Sequence, residues 1–155
     1  MKKKLLLIVI FYFALIISSY GAASSGSSRS SNYDKGATII KKGKKLEEKG
    51  KIEKANKRYE KALEYLIKSN KEKPNQPDTL NYLGFALRKL ENFEEAEKYY
   101  LLGLNIKPDH QGINEYLGEL YIITDRMDLA KERLEVLKNC NCEEYDELKE
   151  LIDKN

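Results

Sequence analysis

A chain that repeats itself at a fixed period folds as stacked copies of one unit, and that periodicity constrains this sequence more than any other feature. Residues 80–104 return at residues 114–138, an offset of 34. Tyr82 maps to Tyr116, Leu83 to Leu117, Gly84 to Gly118, Leu87 to Tyr121, Phe93 to Met127 and Ala96 to Ala130. Upstream the same pattern lies at an offset of 41: Ile39 maps to Leu80, Gly43 to Gly84, Leu46 to Leu87, Ile52 to Phe93, Ala55 to Ala96, Tyr59 to Tyr100 and Leu63 to Leu104. Pro74 and Pro108 are again 34 apart, so 7 extra residues lie between Leu63 and Pro74, two additional turns of one helix.

Within each unit the spacing is helical. Leu80, Leu83, Gly84 and Leu87 recur every three or four residues and form one apolar stripe; Phe93, Ala96, Tyr100, Gly103 and Leu104 form a second. Glu91-Asn92 is the short turn between them, matched by Gly50-Lys51 and Asp125-Arg126. Gly84 and Ala96 are small where the two helices of a hairpin cross, and Pro108 ends the second helix before the next begins. Asn141, with Glu144 three residues on, is the expected cap of a last helix whose stripe is Tyr145, Leu148, Leu151 and Ile152.

These residues resemble the tetratricopeptide repeat family, whose unit is a helix-turn-helix of about 34 residues. The resemblance covers residues 36–142. It departs at Lys42, which stands at a normally apolar position, at the seven-residue extension, and at Cys142, which replaces the closing Pro. It implies an all-α fold, an α-solenoid of three helix hairpins (36–76, 77–110 and 111–142) closed by a C-terminal solvating helix over 143–155, seven helices in all. It further implies that the first helix of each hairpin lines a concave groove for an extended peptide or helix of another protein. The groove positions fall on Ile40, Lys44 and Glu47, on Asn81, Phe85 and Arg88, and on Glu115, Glu119 and Ile122. Phe85 is the expected aromatic anchor, Asn81 the amide for backbone pairing and Arg88 the guanidinium for a carboxylate. Packing of Phe85 against a neighbouring repeat is the competing reading. The Lys/Asn/Arg clamp with which some family members grip a terminal carboxylate is not evident here.

Ahead of the repeats, Lys2, Lys3 and Lys4 precede an apolar run from Leu5 to Ile17, and Ser18 to Ala23 are mostly small. This is the order of a cleavable secretory signal over residues 1–23, with Gly21 and Ala23 at the positions a cut after Ala23 requires and Ser19 and Gly21 at those for a cut after Gly21; an uncleaved anchor whose span borrows residues through Ala23 is the competing reading. Thirteen apolar residues fall short of the ~20 a membrane span needs. Residues 24–35 follow as a Ser-rich flexible linker. A periplasmic or otherwise exported protein is therefore expected, with no stable membrane insertion after cleavage. Losing the three signal lysines leaves 25 basic and 25 acidic residues, so the formal charge of +3 gives no reason to expect nucleic acid as a partner. The charge is instead polarised: 14 basic and 7 acidic groups in 34–77, 10 and 18 in 78–155.

Catalytic chemistry finds little support. The single histidine, His110, follows Pro108-Asp109 in an inter-repeat turn and has no partner nucleophile in sequence. Glu115 and Glu119 lie one helical turn apart, without a His or Asp at ligand spacing, and read as a solvated or partner-facing acidic patch. No enzyme, no cofactor and no metal centre is expected. Cys140 and Cys142, separated only by Asn141, leave three readings open: a strained local disulfide, a soft-metal site such as Cu(I), or two semi-buried apolar residues. The function expected is protein–protein interaction, as an adaptor, scaffold or assembly factor in the bacterial envelope. A small periplasmic redox or metal-handling protein using Cys140 and Cys142 is the alternative.

Overall fold

The repeat resolves into helices wherever its two stripes predict them. The computed structural model describes residues 30–155; the expected signal and the first half of the Ser-rich linker, residues 24–29, lie outside the described residues. Seven helices run in order among them: α1 Asn32–Glu47, α2 Ile52–Glu72, α3 Pro77–Lys89, α4 Phe93–Ile106, α5 Gln111–Ile123, α6 Met127–Leu137 and α7 Glu143–Lys154. They form three hairpins, α1–α2, α3–α4 and α5–α6, each stacked on the next, with α7 packed on α5 and α6. The first helices of successive hairpins, α1, α3 and α5, also touch, so they share one face of an all-α helical-repeat solenoid. Among the described residues no helix is long and apolar enough to cross a membrane.

The three hairpin turns close in one way. Gly50, Glu91 and Asp125 take positive φ values of 65°, 62° and 58°. The amide after each reaches back to the end of the first helix: Lys51 N–H to Leu46 O at 2.9 Å, Asn92 to Leu87 at 2.9 Å and Arg126 to Tyr121 at 2.7 Å. This left-handed cap satisfies carbonyls that the helix end would leave without partners. Only the first turn uses glycine, the residue that adopts the conformation without a Cβ penalty.

Small residues sit where hairpin helices cross. A Cβ placed on Gly43 would stand 2.4 Å from the Tyr59 ring, and one on Gly84 would stand 2.5 Å from that of Tyr100. In the third hairpin the aligned ring is replaced by Leu134, and Gly118 instead receives Leu148 of α7, 2.6 Å from its hypothetical Cβ. The closing helix thus fills the last glycine notch, which is how a terminal unit buries a face with no further repeat to cover it.

Two boundaries differ from the sequence reading. The linker expected over 24–35 ends sooner, because Asn32–Lys35 form the first turn of α1. Ser31 caps that turn in a reciprocal box with Asp34, its hydroxyl accepting from the Asp34 amide at 3.0 Å while the Asp34 carboxylate accepts from Ser31 N–H at 3.0 Å. The early start is the counterpart of the long α2: its added turns bury Leu66 against Gly36, and Asn32 Nδ2 donates to Glu72 Oε1 at 2.6 Å. A two-turn extension of one hairpin helix needs a longer partner. At the other end α7 is capped at Cys142, not Asn141, which turns the chain with a φ of 49°.

Candidate functional site

The face shared by α1, α3 and α5 brings all six expected partner-binding residues into one region, but it leaves few of them free. Phe85, expected as an exposed anchor, is only 1% exposed. It lies between Tyr59, edge-on at 5.7 Å between ring centroids, and Tyr116, tilted at 4.9 Å. The three rings come from successive hairpins, and burying them together stabilises the stack that an isolated anchor would forgo. As an open anchor Phe85 is therefore corrected: it is core. Lys44, on α1, remains exposed, with its ammonium 5.6 Å from the Phe85 centroid and 5.7 Å from that of Tyr116.

Arg88 is likewise buried, 4% exposed, and its Nη1 donates to Glu119 Oε2 at 2.6 Å. The guanidinium expected to grip a ligand carboxylate thus holds one from α5 already. Burial works against its charge, but Tyr100 and Glu119 outweigh it, and its pKa is raised. Among the described residues nothing hydrogen-bonds its Nε or Nη2, or the Tyr100 hydroxyl. Beside it Glu47 accepts from Tyr59 Oη at 2.6 Å and from Lys89 Nζ at 2.7 Å. Burial would raise the Glu47 pKa; the bonds to Lys89 and Tyr59 reverse this and hold it below the usual carboxylate value.

Glu115 and Glu119, expected together as one acidic patch, have separate roles. Glu119 answers Arg88. Glu115 is buried, and desolvation first, then a hydrogen bond with the Glu147 carboxyl of α7 and the charge of Glu119, push its pKa up to about 9. At neutral pH it is a protonated carboxylic acid, so the picture of a solvated pair of charges does not hold for it.

Next to Glu115 opens a polar cavity of about 420 Å³ at the junction of α3, the α4–α5 turn, α5 and the start of α7. Asp78, Asn81, Tyr82, Lys107, Asp109, His110, Glu115, Tyr116 and Glu144 line it. Asn81 is 8% exposed, and among the described residues its Oδ1 has no hydrogen-bond partner. His110, expected in an exposed turn, is buried and caps α5: Nδ1 accepts from Ile113 N–H at 3.2 Å, while Nε2 lies 3.0 Å from Asp78 Oδ1. That pairing assigns the proton to Nε2 and makes Asp78, not Asp109, the residue that orients the ring. Sequence reading missed Asp78, Glu144 and Glu147 because each meets the site from another helix. Tyr116 was visible only as a repeat match to Tyr82.

Cys140 and Cys142 are joined by a disulfide, with their Cα atoms 5.2 Å apart, at the joint between α6 and α7. Bridged sulfurs are not thiolate ligands. Among the described residues no group of three or more His, Cys, Asp or Glu side chains is placed to hold a metal ion.

Comparison with known proteins agrees with the repeat at its strongest unit. Residues 77–110, which span the second hairpin, match the tetratricopeptide repeat family model. No curated protein sequence matches the chain. Similar solved structures include the second tetratricopeptide domain of Spaghetti (RPAP3) bound to the HSP90 peptide SRMEEVD, at 18% identity and a TM-score of 0.49, covering 68% of this chain and 92% of that one. The first such domain of the same protein, bound to the same peptide, is 22% identical with a TM-score of 0.48, covering 80% of this chain and 94% of that one.

Proposed function

We propose that this chain is an exported three-repeat tetratricopeptide protein of the bacterial envelope that holds a peptide or helix of another protein in a groove lined by α1, α3 and α5. Its role would be that of an adaptor, scaffold or assembly factor. The observation that carries the reading is the continuous face of first helices, on which exposed Lys44 lies over the Phe85 and Tyr116 rings and a polar cavity of about 420 Å³, with Tyr82 and Tyr116 in its lining, opens beside them. A concave site with a few placed polar groups favours an incoming segment over open surface. Export is supported by Lys2–Lys4, the apolar run Leu5–Ile17 and the small residues after it, and a bridged cysteine pair suits an oxidising compartment.

The test is site-directed photo-crosslinking in cells. p-Benzoylphenylalanine in place of Lys44 or Gln111, both exposed on the inner face, is expected to trap a partner; the same group in place of Lys98, on the outer helix α4, is not. Trapping from Lys98 alone would remove the groove from the reading. Intact mass of the periplasmic fraction is expected to place the mature terminus between Ala22 and Ser24, and a membrane-bound chain retaining Met1 to Ile17 would refute export. A redox role for Cys140 and Cys142 is the second reading, favoured by the partly exposed bridge itself. Partner capture that fails in Cys140→Ser/Cys142→Ser, yet survives at the groove positions, would move the function there.

A further inference from the structure

We infer that copies of this chain join end to end, the basic outer face of the first hairpin docking on the acidic outer face of α7 in the next copy. The surface lies outside the groove and does not depend on it.

The second helix of each hairpin lies against the first helix of the next, α2 on α3 and α4 on α5. Thr79, Leu80 and Leu83 of α3 are buried, and so are Ile113, Asn114 and Leu117 at the aligned places on α5, where Ile113 meets Gly103 of α4. The residues of α1 that align with them are Thr38, Ile39 and Lys42. Among the described residues no helix lies over these: Thr38 and Lys42 are exposed and Ile39 is half-buried. A groove of about 260 Å³ runs between them and Tyr65 of α2. The ammonium groups of Lys35, Lys61 and Lys68 lie 5.8, 5.5 and 5.8 Å from the centre of the Tyr65 ring. Lys61 is paired with Glu64, and Asp34, the acidic residue in the groove lining, is bound to Ser31.

Any terminal repeat needs a polar end for solubility. A face dominated by one sign of charge around Tyr65 and Ile39 goes further, because clustered lysines repel one another until an anionic surface lies among them. The far end of the same stack has that surface. α7 turns Leu148 inward onto Gly118, and Glu143, Asp146, Glu150 and Asp153, spaced three, four and three residues apart, form an exposed stripe on its opposite side. In all α7 carries six acidic groups and two lysines, against 14 basic and 7 acidic groups in residues 34–77. Glu150 and Asp153 pair with Lys154 and Lys149 along the helix, but exposed pairs of this kind are worth little and exchange readily for others. The two faces belong to opposite ends of one stack, so they meet between copies and not within one. Such a head-to-tail contact does not close on itself and propagates as an open chain. An anionic membrane would also attract the lysines, but it would leave the acidic stripe unanswered; a second copy answers both.

Sedimentation velocity of the purified protein, its N-terminus fixed by intact mass, reads the association. Species larger than a monomer are expected to grow with concentration up to about 200 µM in about 50 mM salt, and affinity should fall at least 10-fold in about 500 mM salt, where exposed charges are screened within a few ångströms. Lys42→Gln/Lys61→Gln/Lys68→Gln and Glu143→Gln/Asp146→Asn/Glu150→Gln alter only exposed side chains, and each variant should be monomeric with an unchanged melt. Mixed, the two variants retain one complementary pair of faces and should form a dimer and nothing larger, a recovery that only folded variants can give. A parent protein that stays monomeric overturns the inference, as does association that persists in either variant or a mixture that forms no dimer. Co-sedimentation of a monomeric parent with phosphatidylglycerol vesicles would assign the basic face to a membrane surface and equally overturn the assignment to a second copy.

Discussion

Replacing Gly84 with alanine sets two effects of known sign against each other. Alanine is favoured over glycine inside a helix by about 1 kcal/mol, and Gly84 lies within α3. Its Cβ, however, would stand 2.5 Å from Cε1, 2.7 Å from Cδ1 and 2.8 Å from Cζ of Tyr100. Carbon atoms rest about 3.5–4.0 Å apart, so the ring or the helix has to retreat by roughly 1 Å. Tyr100 has no exposed surface and a rigid ring, and overpacking of this kind costs about 1–3 kcal/mol. Three simultaneous contacts below 3 Å belong at the upper end of that range, leaving a net loss of about 1–2 kcal/mol after the helix gain. Urea unfolding followed by far-ultraviolet circular dichroism reads this as a lower midpoint. The decisive arm is the Tyr100→Leu background, which installs the side chain that Leu134 supplies at the aligned place of the third hairpin. There the ring is gone, and Gly84→Ala should stabilise relative to Tyr100→Leu alone. A Gly84→Ala protein with a raised midpoint, or a penalty that persists without the ring, would show that the notch is not what holds the hairpin together.

Phe85→Ala should cost about 3–5 kcal/mol and collapse the thermal melt, since it empties the middle of the Tyr59–Phe85–Tyr116 stack; an unchanged melt would return Phe85 to the surface. Glu115 predicts a pH dependence. Its folded pKa of about 9 exceeds its ordinary 4.5, so the folded state binds the extra proton between these values, and this contribution is complete at pH 4.5 and lost as pH rises towards 9. Glu115→Gln should therefore match the parent near pH 4.5 and exceed it in stability near pH 9, as chemical denaturation at the two pH values will show; equal stability throughout would mean that Glu115 is solvated. Glu91→Gly relieves a left-handed residue at φ 62°. The relief of about 1–2 kcal/mol outweighs glycine's added chain entropy of about 0.5–1 kcal/mol, so the melting temperature should rise.

The helical stripes and hairpin turns are local properties, set by residues within a turn or two of one another, and the repeat period and the extra length of α2 follow from comparing those local patterns along the chain, so all of them stand in the sequence. The Gly84 notch is legible too, because the small residue recurs at each repeat. What the first-helix positions do is not local. Phe85 looks like a groove residue until Tyr59 and Tyr116 arrive from the hairpins on either side. Arg88 looks free until Glu119, 31 residues away, accepts from it. Glu115 looks like half of a solvated pair until α7 lays Glu147 against it and closes off water. Periodicity says which residues share a face; whether that face meets water, a neighbour or a ligand depends on desolvation by elements distant in sequence, and only the stacked solenoid decides it.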